Sequence, residues 1–389
     1  MPQGRTVFAQ LMDVVPRRAF ERCVRRYGGN HRVRAFSCYD QFLCLAFAQL
    51  TYRESLRDIE TCLRALQPKL YHAGLRGRVA RSTLADANET RDWRIYADFA
   101  QSLIRRARRL YDADPFAVEL AQTAYAFDTT TIDLCLALFP WATFRQHKAA
   151  VKLHTLLDLR AQIPTFVAIT PGTAADVTLL DALVVEPGAF YVVDRGYTDF
   201  GRLYRLTQSL AFFVIRGKRG LDYVRRVSRP VDRTSGLRSD QTILLCGPKT
   251  ATLYPEALRR LTYVDPETGK RFVFLTNNFT LPPLQIARLY HCRWQIELFF
   301  KWIKQHLRIK AFYGTSVNAV KTQVWIAISV YVLVAILKKT LALDRSLYEI
   351  LQILSVTLFE RVPIQQALAL MPVLDSMSEA CNQLSLFDL

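Results

Sequence analysis

The sequence predicts an α/β protein in which helices cover a mixed β-sheet, with a helical region before the sheet and a β-rich insertion within it. Three observations predict this class. Apolar residues recur every three or four positions up to about residue 115, short β-rich runs alternate with helical patterns from about residue 124, and a basic, turn-rich stretch at 218–272 interrupts that alternation. The chain has 389 residues, 51% of them hydrophobic and 22% charged, which excludes a disordered protein and a disulfide miniprotein.

The first 115 residues are expected to form a helical domain that binds DNA. Helical periodicity is present in FERCVRRY, YDQFLCLAFAQL, SLRDIETCLRAL and WRIYADFAQSLIRRARRLY. Ser82 or Thr83 is suited to cap a following helix that carries Arg91, as in the reading helix of a helix-turn-helix. A plain helical bundle fits the same pattern equally well.

From residue 120 the pattern is that of a sheet built in two parts. The strand-like runs AYAFDTTTIDLCL, VKLHTLLDL, PTFVAIT, FYVVDRGY and AFFVIRGK lie within 120–217. Residues 218–280 are interpreted as the insertion, with strand-like TILLC and RFVFLT between turn residues. The core resumes over 281–345, where a helical pattern runs from about Leu284 to Leu307, and a helical tail is predicted for 346–389.

Positive charge is in excess and unevenly distributed. The chain has 52 Lys and Arg against 34 Asp and Glu, a formal net charge of +18. Residues 1–114 and 201–285 each carry a net +9, whereas 115–200 carries −4. This distribution is expected of an acidic catalytic centre served by two cationic segments that bind a polyanion, most often nucleic acid. Solvated Arg-rich helix faces are the alternative explanation.

The cysteines and apolar runs indicate a cytoplasmic protein. The eight cysteines include no Cys-x-x-Cys pair, so we expect free thiols rather than a zinc or redox site. The N-terminus lacks the apolar core of a signal peptide. The longest apolar run, Val324–Leu337, has 14 residues, fewer than the ~20 that span a bilayer, which predicts a core helix and no membrane partner.

Two carboxylates follow apolar strand residues. Asp128 comes after Tyr125–Phe127, and Asp194 comes directly after the apolar run Phe190–Val193. A carboxylate at such a position is costly to remove from water, so each is expected to have a partner or a cation. Capping of the following turn is the alternative role for either one.

The helical pattern after the insertion carries a carboxylate among cations. Four residues of YHCRWQIELFFKWIK stand at offsets 0, 3, 7 and 14: Tyr290, Arg293, Glu297 and Lys304. At about 100° per residue they share one narrow stripe, which Lys301 joins. The opposite side is apolar and is expected to be buried, with Cys292, Ile296, Phe299 and Ile303. An ordinary solvated face with a Glu297–Lys301 ion pair would leave Tyr290 unexplained.

The Y-x2-R-x3-E-x6-K pattern, with Asp128 in FDTTTIDL and Asp194 in VVDRGY, resembles the DDE transposases of the insertion-sequence-four family, in the subgroup with a Y-R-E-K signature. The three acids occur in the family's order, separated by 66 and then 103 residues. The resemblance covers about residues 120–340, and the first hundred residues look like the N-terminal module of one branch of the family. It implies an RNase H-like catalytic core with a β-rich insertion before the Glu-bearing helix. It also implies cut-and-paste transposition of an insertion sequence by a bacterial, nucleoid-associated enzyme.

The resemblance further implies a metal-dependent site. Asp128, Asp194 and Glu297 would be the catalytic residues and would hold two Mg²⁺ ions, for which Mn²⁺ is a substitute. Water would be the nucleophile for strand cleavage at the inverted-repeat ends, and a DNA 3′-hydroxyl the nucleophile for strand transfer to target DNA. The residues expected to contact DNA are Tyr290, Arg293, Lys301, Lys304, Lys148, Lys152 and Arg195. A homodimer is expected in the synaptic complex, and His154 is expected to be a hydrogen-bonded core histidine.

The aromatic pattern departs from the family, and two other functions compete. The family forms a DNA hairpin by flipping a base onto an aromatic side chain of the insertion, yet no Trp lies between Trp141 and Trp294, so a Tyr or Phe would have to serve. Trp294 and Trp302 are expected to be packing residues. The competing functions are a catalytically silent, transposase-derived DNA-binding regulator and an RNase H-like nuclease that does not join strands.

Overall fold

The computed structural model of the chain describes residues 4–72, 74–75, 77–116, 118–145, 148–306 and 312–369. The first third is helical: α1 (Val7–Met12), α2 (Arg17–Arg26), α3 (Cys38–Leu50), α4 (Leu56–Ala65), α5 (Gln67–Leu70), α6 (Arg81–Thr90) and α7 (Arg94–Tyr111). The predicted helical N-terminal region is therefore confirmed. Its boundary near residue 115 and its binding role stay predictions.

A polar cap and one almost fully buried helix organise this region. Ser37 and Asp40 form a capping box at the start of α3, in which each side chain accepts from the other residue's backbone N–H. Most side chains of α3 are buried on every side, so α3 is a central helix. α7 packs beside it, with the rings of Phe42 and Phe99 in an edge-to-face contact at 5.4 Å.

Within the described residues, ten strands form one mixed sheet. The strands are β1 (Ala124–Leu134), β2 (Thr143–Arg145), β3 (Lys148–Asp158), β4 (Ile163–Pro171), β5 (Phe190–Val193), β6 (Phe212–Arg216), β7 (Tyr223–Arg229), β8 (Leu237–Leu245), β9 (Leu258–Val264) and β10 (Arg271–Thr276). β3 is antiparallel to both β1 and β4, whereas β1, β5 and β6 run parallel. The core order β4-β3-β1-β5-β6 is that of an RNase H-like sheet, which confirms the predicted fold class.

The insertion continues the same sheet. β10 pairs antiparallel with the core strand β6, and β9, β8 and β7 follow in antiparallel order. The strand-like run TILLC lies in β8 up to Leu245, and RFVFLT forms β10, so both predicted strands are present. The sequence pattern did not identify β7 and β9, which carry Arg pairs within their strands. The β-rich stretch is thus an extension of the core edge.

The second half supplies the helices that cover the sheet: α8 (Phe200–Gln208), α9 (Pro248–Leu253), α10 (Pro283–Cys292), α11 (Trp294–His306), α12 (Val317–Thr340), α13 (Leu347–Thr357) and α14 (Ile364–Leu368). Alternate residues of the central strands face two apolar layers. Phe190 and Val192 of β5 join the layer that contains α7, α11 and α12, while Tyr191 and Val193 join the layer that contains α8.

The prediction of one helix from Leu284 to Leu307 is wrong at one residue. α10 ends at Cys292 and α11 begins at Trp294, with Arg293 between them. The backbone N–H of Arg293 donates to Tyr290, and the N–H of Ile296 donates to Arg293, so the turn is tightened to i→i+3 bonds. Ile296, Phe299 and Ile303 are buried as predicted, and Cys292 is half-buried. Leu307 lies outside the described residues.

α12 is long and apolar enough to cross a membrane, and it lies in the protein interior. Ser316 caps it, and every residue from Thr322 to Leu337 is buried. The prediction of a core helix is confirmed, although the helix is longer than the apolar run because polar residues extend it at both ends. α13 confirms a helix in the predicted tail, of which residues 370–389 lie outside the described residues.

Candidate active site

Parallel strands bring Asp128 and Asp194 side by side. β1 pairs with β5 up to the register Phe127–Val193, and each Asp is the next residue of its chain. β1 continues along β3 to Leu134, but β5 ends at Val193, so the two carboxylates lie side by side at the edge where the parallel pairing stops. β5 pairs in the same way with β6 up to Val193–Ile215, which places Arg216 at the same level beside Asp194.

The α10–α11 segment brings the third acid to this edge. Arg293 donates from Nη1 to Asp128 Oδ2 at 2.9 Å and from Nη2 to Glu297 Oε1 at 2.5 Å. The Tyr290 hydroxyl donates to Asp194 Oδ1 at 3.0 Å. Hydrogen bonds with two residues of the helical stripe, Arg293 and Tyr290, therefore connect three acids that are distant along the chain.

The remaining stripe cations differ in their environment. Lys304 Nζ donates to the carbonyl of Thr131 in β1 at 2.6 Å, which fixes α11 against the strand that carries Asp128. Lys301 is exposed to solvent. The stripe thus combines two anchoring residues, Arg293 and Lys304, with one exposed cation.

Burial and charge act together on the acid cluster. Burial raises the pKa of Asp128 above its ordinary value, and the negative charges of Asp194 and Glu297 also act to raise it. The hydrogen bond from the backbone N–H of Thr129 and the positive charge of Arg293 act in the opposite direction and lower it. Burial and the charge of Asp194 raise the pKa of Tyr290, so this phenol stays protonated as a donor. Both effects are those expected where negative charges are concentrated in a partly dry site.

The donor set fits a hard divalent cation. Carboxylate oxygens are the ligands that Mg²⁺ prefers, and two of the three acids, Asp128 and Glu297, already bind one cationic side chain, Arg293. Across the described ranges, no group of three His, Cys, Asp or Glu side chains lies close enough to hold a metal. Arg293 lies between Asp128 and Glu297 and binds both of them.

The other predicted DNA contacts lie in different surroundings. Lys148 and Arg195 are exposed. Lys152 is mostly buried: its Nζ lies 2.9 Å from Asp176 Oδ1 and donates to the carbonyl of Ala174 at 2.7 Å. Lys152 is therefore engaged within the protein and is less available to a ligand than the other cations.

A basic cavity adjoins the acids and was not identified from the sequence. It has a volume of about 460 Å³, and its lining includes the cations Arg195, Arg216, Lys218, Arg219, Arg260 and Arg271. In the described part of the chain, no carboxylate lines this cavity or pairs with these six side chains. The pairing of β6 with β10, and of β10 with β9, brings these cations together, so no local pattern could have found the cavity.

The structure also tests the roles predicted for the aromatic residues and His154, and it adds one residue to the site. Trp302 is buried as expected, but Trp294 is 55% exposed, so its predicted packing role is wrong. The tight turn at Arg293 precedes Trp294 directly.

His154 is fully buried with a hydrogen bond on each ring nitrogen, which confirms the expected core histidine. Tyr197, two residues beyond Arg195, lies 3.4 Å from Asp128 Oδ1 and was missed because the fold alone joins them.

Two protein-family models match this chain. The transposase DDE domain model matches residues 119–333, and a domain of unknown function, DUF4372, matches residues 3–76. The chain is similar to the putative transposase y4zB of Sinorhizobium fredii, with 33% identity over 72% of this chain and 77% of that protein. It is similar to the probable transposase for insertion sequence element IS5377 of Geobacillus stearothermophilus, with 31% identity over 53% of this chain and 54% of that protein.

Two more distant similarities extend further along the chain. The putative transposase for insertion sequence element IS4SA of Synechocystis sp. is 22% identical over 82% of this chain and 88% of that protein. The cryo-EM structure of the piggyBac transposase synaptic complex with hairpin DNA is similar at a TM-score of 0.45 and 10% identity, covering 94% of this chain and 82% of that one.

Proposed function

We propose that this chain, which belongs to the DDE transposase family, cuts and joins DNA at the site formed by Asp128, Asp194 and Glu297. The chain is a DNA transposase and an enzyme, since the matching domain spans residues 119–333 and the S. fredii relative is similar over 77% of its length. The observation that carries the proposal is the convergence of the three acids on Arg293 and Tyr290. The Y-R-E-K spacing supports membership of the insertion-sequence-four family.

Asp128, Asp194 and Glu297 would hold the divalent metal on which DDE transposases depend, and we propose Mg²⁺, with Mn²⁺ as a substitute. Bound there, two such ions supply activation of the attacking oxygen and stabilisation of the leaving oxygen in an in-line phosphoryl transfer. The protein contributes the negative charge and the fixed positions of its carboxylates. Tyr290 orients Asp194 by its hydrogen bond.

Arg293 would change partners during this reaction. Its guanidinium now neutralises Asp128 and Glu297, whose oxygens are needed as ligands. A guanidinium binds phosphate in the same forked geometry as carboxylate. We therefore propose that Arg293 turns from the acids to a phosphate of the transposon end, while Lys301 and Lys304 contact neighbouring phosphates.

The basic cavity would extend the DNA path away from the acids. Arg216 stands beside Asp194 in the strand register, and Arg195 follows Asp194 in the chain, so the cavity begins where the carboxylates end. Because none of the cavity cations forms an ion pair with a carboxylate of the described residues, their charge is available to phosphates. Such contacts position the DNA and do not read its sequence.

The cavity predicts a specific salt dependence. In the double variant Arg216→Ala/Lys218→Ala, binding to the transposon ends should weaken. A plot of the logarithm of the association constant against the logarithm of the salt concentration should also become shallower by about 2, roughly one for each phosphate that the variant no longer neutralises. The double variant Lys249→Ala/Arg361→Ala removes the same charge from exposed positions outside both the cavity and the N-terminal helices. An equal decrease of slope in both variants would show only an effect of net charge. Fluorescence anisotropy over a salt series measures both.

The N-terminal helices would supply further contacts to the transposon ends. The arginines Arg17, Arg18, Arg22 and Arg25 of α2 are exposed. Their charge supports DNA binding by this module in either of the two forms considered, helix-turn-helix or plain bundle. We also propose that two copies of the chain pair two ends in a homodimeric synaptic complex, in the bacterial cytoplasm on the nucleoid.

Strand joining tests the proposed function. Purified protein is incubated with Mg²⁺, the ends of its own element and a plasmid target, and the DNA strands are sized on a denaturing gel. We expect cleavage at the ends and joining of the 3′-hydroxyl to the plasmid. Binding without cleavage would instead indicate the silent regulator, and cleavage without joining the nuclease.

A further inference from the structure

A buried threonine without a hydrogen-bond partner for its side chain lies beside Asp128. Thr155 of β3 is directly opposite Asp128 of β1 in the antiparallel register. Its side chain is fully buried, and within the residues that the structure describes its hydroxyl forms no hydrogen bond. Removing a hydroxyl from water is unfavourable unless a new hydrogen bond replaces those that are lost, so most buried hydroxyls have a partner. The exception falls at the proposed catalytic site.

The sheet places the side chains of Thr155 and Asp128 on the same face. Residues directly opposite each other in antiparallel strands point to one side of the sheet, with Cβ atoms about 4.5–5.5 Å apart. Leu153 and Leu157, which alternate with Thr155 along β3, belong to the apolar layer that contains α11. Asp128 faces α11 as well, since it binds Arg293. Rotation of the two side chains therefore brings the Thr155 hydroxyl within reach of the Asp128 carboxylate.

The other side chains that flank Thr155 in the sheet are hydrocarbon. Val167 of β4 lies opposite Thr155 on the far side from β1, and Leu153 and Leu157 lie two residues away along β3. Asp128 is therefore the one hydrogen-bond acceptor among these neighbouring side chains. A valine would pack equally well at this position, so packing alone does not explain the hydroxyl.

Other donors hold the Asp128 carboxylate in this structure. Its Oδ1 accepts from the backbone N–H of Thr129 at 2.8 Å and lies 3.4 Å from the Tyr197 hydroxyl. Its Oδ2 accepts from Arg293 Nη1 at 2.9 Å. The Nε–H of Arg293 is buried and, like the Thr155 hydroxyl, has no partner in the described part of the chain. A movement of the guanidinium from the acid to a phosphate would let both groups form hydrogen bonds.

We propose that Thr155 is a positioning residue whose hydroxyl donates to Asp128 Oδ2 when Arg293 leaves this oxygen and a divalent cation binds the carboxylate. The inference rests on the proposed function, in which Asp128 is a metal ligand. A carboxylate oxygen has two lone pairs, so Oδ2 can accept from Thr155 and bind the cation at the same time. Hydrogen bonds from residues outside the ligand set hold metal-binding carboxylates in the orientation that the cation requires.

Thr155→Val separates this role from a structural one, because valine has nearly the shape of threonine and lacks the hydroxyl. Mn²⁺ binding, measured without DNA from the electron paramagnetic resonance signal of free Mn²⁺, should weaken about tenfold. The metal-free variant should unfold in urea at the same or a higher midpoint than the wild type, since an unpartnered hydroxyl is removed from the interior. Unchanged Mn²⁺ affinity, or a lower unfolding midpoint of the metal-free variant, would overturn the proposal.

Thr322 provides the matched control. Its hydroxyl is also buried without a partner among the described residues, but it lies in α12, which contributes no residue to the acid cluster. Thr322→Val should likewise leave the unfolding midpoint unchanged or higher, and its Mn²⁺ affinity should stay within about twofold of the wild type. An equal loss of Mn²⁺ affinity in both valine variants would show a general effect of removing a core hydroxyl and would overturn the proposal.

Thr155→Ser keeps the hydroxyl and removes a buried methyl group. Its Mn²⁺ affinity should stay within about twofold of the wild type. Its unfolding midpoint should fall, because the missing methyl group leaves a small cavity. A serine variant that binds Mn²⁺ as weakly as the valine variant would assign the effect to packing and would overturn the proposal.

Asp194→Asn distinguishes failure of this inference from failure of the proposed function. If the variant binds Mn²⁺ as tightly as the wild type, the acids do not hold the metal, and both the proposed function and the role of Thr155 are overturned. If Asp194→Asn loses Mn²⁺ binding while Thr155→Val retains it, the proposed function stands and only the role of Thr155 is overturned.

Discussion

Replacing Asp194 by Asn is expected to abolish cleavage of the transposon ends, with a loss of at least about 10³-fold, or ~4 kcal/mol of transition-state stabilisation. The Asn side chain keeps the shape of Asp and can still accept the hydrogen bond from Tyr290. It removes the negative charge that a divalent cation needs. The cleaved product, measured against time on a denaturing gel, should therefore disappear.

End binding by the Asp194→Asn variant should stay close to that of the wild type, because the basic cavity and the helical stripe are unaltered. Asp133 of the same sheet is exposed and provides the matched control. Asp133→Asn should retain full cleavage. Cleavage retained by Asp194→Asn would remove this residue from the site, and a loss of end binding would mean that the substitution acts on the fold.

The largest effect on stability is expected at the ion pair between Asp240 of β8 and Arg259 of β9. The two side chains are only 3% and 4% exposed and form two hydrogen bonds, at 2.9 and 2.7 Å. Arg259→Ala leaves Asp240 buried without its main partner, which should reduce the free energy of unfolding by about 3–5 kcal/mol. Urea titration followed by circular dichroism measures this loss.

Arg229 gives the control for this prediction. It also contacts Asp240, at 3.3 Å, but its side chain is 36% exposed. Arg229→Ala should cost less than about 1 kcal/mol, because water reaches the Arg229 guanidinium and Asp240 keeps its two hydrogen bonds to Arg259. Similar losses in both variants would show that burial does not set the strength of this interaction.

Local sequence pattern predicted the parts of the fold in which one segment determines its own structure. The apolar run FYVV could only be a buried strand, and α12 is apolar along most of its length. β7 and β9 escaped prediction because their Arg pairs break the apolar alternation, and their stability comes from pairing within the extended sheet. The turn at Arg293 depends on contacts with β1 that no helical pattern contains.

The site residues likewise divide into those that a single segment of sequence revealed and those that only contacts between segments bring together. Asp128 and Asp194 were found because a carboxylate after a buried strand is unusual, and Glu297 because it shares a stripe with Tyr290 and Arg293. The cavity cations come from β6, β9, β10 and two loops, so only the folded sheet brings them together. The relation of Tyr197 to Asp128 likewise depends on the parallel pairing of β1 with β5.

The pairing of β10 with β6 has a consequence for how this protein can be dissected. Deleting residues 218–280 would strip β6 of its neighbour and leave the backbone groups of Val214–Arg216 without their partners at an open edge. Such an edge recruits other chains, so a shortened protein would be prone to aggregate whatever its affinity for DNA. Individual side chains, rather than truncations, are the informative units for assigning roles to the insertion.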